Sequence, residues 1–135
     1  MEQASGPPAG LTAGLSARVE LTVTDADTAQ ALGSGDVPVL GTPRALALAE
    51  AATVAATATR MPVGLTSVGT RVELEHKVAT AVGRTVIAEA QLAKVDGRRL
   101  LFEVAIKEGD TVVAEGRVER FLVDRHAFVE KAFGD

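Results

Sequence analysis

Three side chains in this 135-residue chain have the types and settings that chemistry needs: Glu50, His76 and Thr42. Glu50 is the one charge between Ala45 and Thr59, a run otherwise made of Ala, Leu, Val and Thr. Burying an isolated carboxylate is costly, so a Glu in such a run is paired, protonated or functional. His76 falls between Leu74 and Val78 in an alternating run that puts Val72, Leu74, His76, Val78, Thr80 and Val82 on the inward face and Arg71, Glu73, Glu75 and Lys77 on the other. An imidazole on the apolar face is either a satisfied core histidine or a general acid–base. Thr42 stands before Pro43 and reads as a helix cap. A helix start also offers free amides and a positive dipole end to an anionic oxygen, so capping and function can coincide there. Arg120 shares a strand face with Val112, Ala114, Gly116 and Val118 and reads as half of a buried ion pair, with Glu50 a candidate partner.

The element that must position these groups is the stretch from Gly41 to Arg60, GTPRALALAEAATVAATATR. Thr42-Pro43 starts a helix, and Met61-Pro62 ends it because proline disfavours helical geometry in the residue before it. At ~100° per residue, Leu46, Glu50, Thr53, Val54 and Thr57 share a stripe, with Leu48, Ala52, Ala55 and Thr59 opposite. A helix apolar nearly all round is predicted to be buried. Strand patterns flank it. Ala17 to Thr24 alternates before it, and Thr70–Val82, Thr85–Val95, Arg99–Lys107 and Thr111–Val123 follow, separated by Gly83-Arg84, Asp96-Gly97 and Gly109-Asp110. Asp25 to Asp36 reads as a loop or short helical turn, and the C-terminal tail as a helical turn packed by Phe128. Short connections favour antiparallel neighbours. The expected fold is α+β, a curved antiparallel sheet wrapped around one long helix, with a second subunit covering what the sheet leaves open. Residues 1–14 read as a flexible tail and residues 15–135 as a single domain.

This geometry sets a constraint. Along a straight helix Thr42 and Glu50 lie ~12 Å apart and roughly 80° apart around the axis. Either the first turn bends back, or one site is assembled from two subunits.

Composition removes other function classes. A net charge of −4, four Phe and no Tyr or Trp argue against nucleic-acid binding, which wants basic charge and stacking rings. No apolar run approaches the ~20 residues that span a membrane, and the first residues lack the pattern of a signal peptide. The absence of cysteine rules out disulfides, thiolate metal sites and a Cys nucleophile, and fits a cytoplasmic protein. His126 is the only other histidine, so a metal centre of several imidazoles is not expected. No Gly-rich phosphate loop or Ser nucleophile elbow is present.

The segments GTPRALALAE, SVGTRVELEHKVATAVGR and VDGRRLLFEVAIKEGDTVVAEGRVERFLV resemble the hot-dog-fold acyl-CoA thioesterases, and among them the group that includes fluoroacetyl-CoA thioesterase. The likeness runs from about Ala17 to Val129. It implies a hot-dog homodimer with active sites at the subunit interface. It further implies that Thr42, Glu50 and His76 hydrolyse a thioester to the acid and free coenzyme A. In that set Glu50 attacks the carbonyl or activates water, His76 moves protons, and Thr42 with the helix amides holds water or carbonyl oxygen. Gly69, in the SVGT turn, would contact the acyl group through its backbone, and Arg120 the coenzyme. The substrate would be an acyl-CoA, with coenzyme A entering as part of it and no other cofactor. In that group aromatic side chains before the helix cover the acyl pocket, whereas residues 29–40, AQALGSGDVPVL, contain none. This departure implies a more open pocket and leaves the acyl group unassigned. Two other readings remain beside the enzyme. One is a hot-dog module that binds acyl-CoA without turnover. The other, weaker one is a hot-dog dehydratase, which wants an acid and a His together at a loop–helix junction, a pairing this sequence does not show.

Overall fold

A computed structural model describes residues 7–134. Period-two alternation produces five strands: β1 (Ser16–Thr22), β2 (Leu65–His76), β3 (Thr85–Asp96), β4 (Arg99–Glu108) and β5 (Thr111–Asp124). They form one antiparallel sheet in the order β1-β3-β4-β5-β2. The β3–β4 and β4–β5 hairpins turn at Gly97 and Gly109, whose φ of 61° and 58° a glycine adopts without a Cβ penalty. Among the described residues three α-helices accompany the sheet: α1 (Ala29–Leu32), α2 (Thr42–Thr57) and α3 (Arg125–Gly134).

The core lies between α2 and the sheet. Val86, Ala88, Ala90 and Leu92 of β3 and Leu100, Phe102, Val104 and Ile106 of β4 are buried, as the alternation predicts. They meet Ala45, Leu48, Ala49, Ala52 and Ala56 of α2, a face of mostly small side chains that lets the helix lie close against the strands. The helix touches all five strands. The expectation of burial on every side holds for this face only. Ala47, Ala51, Val54 and Ala55 form an apolar stripe that stays exposed in the protomer.

Other boundaries differ from the sequence reading. β2 starts earlier and stops at His76. Beyond it, the Lys77 and Val78 amides both donate to the Val113 carbonyl, and the chain leaves the ladder to pair Ala81 with Val39. Val78 and Val82, expected to face inward, are therefore exposed, while Thr80 is fully buried. α3 is a complete helix, yet Phe128 is exposed and packs no core. Residues 1–6 of the expected tail lie outside the described residues. The described part is anchored rather than free: Leu11 is in the core, and the Gly14 amide donates to the Leu92 carbonyl at 2.8 Å.

The entry to α2 is braced by a carboxylate the sequence reading passed over. Asp27 Oδ2 accepts from the Thr24 amide and hydroxyl, both at 2.8 Å, and Oδ1 accepts from Arg44 Nε at 3.0 Å. The Gly41 amide donates to the Asp27 carbonyl at 2.9 Å, and a Cβ at Gly41 would lie 3.0 Å from the Ala29 backbone. Burial pushes the Asp27 carboxyl up, but Thr24 and Arg44 together outweigh it and hold the group below 3.8. A depressed carboxylate stabilises the fold above its unfolded value and loses that contribution as pH falls through the folded value. Asp27→Ala should therefore cost about 2 kcal/mol at pH 7, discounted for the partly exposed Arg44, and less at pH 3. Urea unfolding at the two pH values checks this, and an equal cost at both would contradict it.

Candidate active site

Thr42 and His76 meet. Gly41 is the residue that caps α2, its carbonyl accepting from the Arg44 and Ala45 amides at 3.0 Å each. Thr42 therefore stands inside the first turn and makes no capping bond, which corrects its reading as the cap. Its hydroxyl lies 2.8 Å from His76 Nδ1 instead. His76 is the last residue of β2, where the strand leaves the sheet. The ring is half-buried, and Nε2 lies against protein with no hydrogen-bond partner among the described residues. The open side of the pair is thus Thr42, which is exposed. Burial pulls the His76 pKa below 6.5, only partly opposed by the Val78 backbone, so the ring is neutral at pH 7.

Glu50 gathers a second group. Its Oε2 accepts from Arg120 Nη1 at 3.2 Å, the ion pair the sequence admitted as the plainer reading of both residues. Arg120 in turn donates from Nε to Ser67 Oγ at 2.8 Å and from Nη2 to the Ser67 carbonyl at 2.9 Å. Gly69 flanks the carboxylate: a Cβ there would fall 2.3 Å from Glu50 Oε2. The SVGT segment is not a turn but part of β2, with a bulge between Gly69 and Arg71. Glu50 was expected to be buried, and its side chain is 32% exposed because it sits beside the open stripe of α2.

The structure thus joins Thr42 to His76, and Glu50 to Gly69 and Arg120, but keeps the two groups apart within a protomer. α2 is continuous from Thr42 to Thr57, so its first turn does not bend back, and the ~12 Å between Thr42 and Glu50 stands. Ser67 was missed in the sequence. Its signal was the i, i+2 spacing from Gly69, which puts both on one strand face beside Arg120. Among the described residues no three His, Asp or Glu side chains come together as a metal site, and no helix is long and apolar enough to cross a membrane.

A five-stranded antiparallel sheet packed around one long helix, with polar groups along that helix, defines a hot-dog protein of the thioesterase superfamily. The chain belongs to the fluoroacetyl-CoA-specific thioesterase family, whose sequence model matches residues 23–126. A fluoroacetyl-CoA thioesterase from Streptantibioticus cattleyicolor is 36% identical over 84 residues, 62% of this chain and 60% of that relative's length. The solved fluoroacetyl-CoA thioesterase FlK superposes with a TM-score of 0.84 at 28% identity, covering 90% of this chain and 95% of that one. A point variant of FlK in complex with fluoroacetate and CoA gives a TM-score of 0.82 at 28% identity over 87% and 99% of the two chains. A Thermus thermophilus protein described as a thioesterase superfamily member gives a TM-score of 0.82 at 27% identity, over 90% of each chain.

Proposed function

We propose that this chain is an acyl-CoA thioesterase that works as a homodimer, with Glu50 of one protomer facing the Thr42–His76 pair of the other. The observation that carries the reading is the Thr42 Oγ1 to His76 Nδ1 contact of 2.8 Å at the start of α2. It places an exposed hydroxyl, the Thr42 amide and a half-buried neutral imidazole side by side at the start of α2. Two features support the dimer: β2 is an edge strand, and the apolar stripe at Ala47, Ala51, Val54 and Ala55 has no cover. A second copy brought onto both resolves the ~12 Å separation.

Hydrolysis then needs only these groups. Water adds to the thioester carbonyl carbon and gives a proton to Glu50, while the Thr42 amide, which bonds to nothing else among the described residues, holds the carbonyl oxygen as charge develops on it. The C–S bond breaks: the proton on Glu50 moves to the Thr42 oxygen as the Thr42 proton moves to His76 Nδ1, and a proton returns from Nδ1 through Thr42, the open side of the pair, to the departing sulfur. Coenzyme A enters as part of the substrate, and the scheme uses no metal or prosthetic group.

The test is a panel of short acyl-CoAs read with a thiol-reactive dye, on wild type and Glu50→Ala. Equal inertness of both would sink the proposal. A second reading, an acyl-CoA-binding module without turnover, is favoured by one observation: the Glu50 carboxylate is engaged by Arg120. Tight coenzyme binding with no thiol release would select it.

The scheme starts from a neutral His76. Because burial holds that pKa below 6.5, kcat/KM should be level near neutrality and fall as pH drops through a value below 6.5. A fall that sets in above pH 6.5 would contradict a buried, neutral His76 in the proton path.

A further inference from the structure

We infer that Ser67 and Arg120 form a positioning pair for the Glu50 carboxylate, so that Arg120 serves Glu50 rather than the coenzyme. Arg120 is only 7% exposed, which leaves almost none of it for a ligand. Its planar guanidinium is held at two edges by a single residue, through Nε to Ser67 Oγ at 2.8 Å and Nη2 to the Ser67 carbonyl at 2.9 Å. Two bonds to one residue fix the plane of the fork, and the third, from Nη1 at 3.2 Å, then points at Glu50 Oε2. On the other side the bare Cα of Gly69 gives that oxygen its room, since a Cβ would lie 2.3 Å from Oε2 and 3.5 Å from Arg120 Nη1. β2 therefore supplies both jaws of a clamp from residues two apart, a hydroxyl at 67 and a missing side chain at 69. A free Glu side chain samples many rotamers, and ordering it before substrate arrives is what a group that must meet a water molecule requires.

This inference rests on the thioesterase reading for its kinetic test. On an acyl-CoA that the wild type hydrolyses, Ser67→Ala should lower kcat about 10-fold, the scale of one hydrogen bond to a charged group, with KM changed by less than about 2-fold. Ser67→Thr, which keeps the hydroxyl, should recover kcat to within about 3-fold of wild type. A rise in KM at unchanged kcat would make Arg120 a coenzyme contact and overturn the inference, as would Ser67→Ala kinetics equal to wild type. If the wild type turns over nothing in the panel, the thioesterase reading fails, but the clamp is still open to test. Urea unfolding of Ser67→Ala, Glu50→Ala and the double variant should then give less than additive losses, because both act on one network. Additive losses would reject the clamp.

Discussion

Glu50→Ala should lower kcat by about 10³-fold or more, and Glu50→Gln should do the same, while the two variants part company in stability. In the proposed scheme the carboxylate is the base that takes the proton from water, and neither Ala nor Gln can take it. Removing a positioned acid–base group costs roughly 10²–10⁴-fold, and losing the oxygen that orients water adds to it. Stability follows a different rule. Ala leaves the buried Arg120 guanidinium facing an empty space where it had an acceptor at 3.2 Å. An uncompensated buried charge is destabilising, here by about 1–2 kcal/mol once the partial exposure of Glu50 is allowed for. Gln keeps an oxygen for Arg120 and should unfold within about 0.5 kcal/mol of wild type. Thiol release and urea unfolding on the same three proteins check both halves. A Gln variant with substantial turnover would move the base elsewhere in the site.

The largest expected effect on stability is at Gly116. It lies in the middle of β5, paired with Leu74 of β2 and Val104 of β4. A Cβ there would fall 1.8 Å from the Glu73 carbonyl oxygen and 2.8 Å from its carbon. Both are backbone atoms of the neighbouring strand, so no rotamer change relieves the clash and the strands must separate. Gly116→Ala should therefore cost about 3 kcal/mol or more, and lower the midpoint of thermal unfolding by about 10 °C. The damage should reach function as well, because β2 carries Ser67, Gly69 and His76 on the strand that moves. Calorimetry on the variant checks it, and a midpoint within a degree or two of wild type would show that the sheet opens here at little cost.

These two sites differ in how far their roles could be read from residue order. The element types came from local pattern. Alternation in Thr85–Val95 and Arg99–Lys107 names the buried faces of β3 and β4 almost residue for residue, because the period of a strand is independent of what it packs against. The candidate groups were also visible, since a lone carboxylate in an apolar helix and a lone imidazole on an apolar face break those patterns. Thr80 was assigned correctly to the interior but for a strand that had already ended, and its neighbours Val78 and Val82 went the other way.

What the chain's order alone determined, then, was the helix with its single acid, the strands around it, and the short list of side chains able to move protons. Which of those side chains touch was decided only by the fold. Thr42 turns from its own helix to His76 because Gly41 does the capping, and Glu50 finds Arg120 because strand register sets Gly69 opposite Arg120. Contacts such as these join residues 34 and 70 positions apart, and no local period encodes them. They follow from register and from the angle at which α2 crosses the sheet, both set by the packing of the whole core.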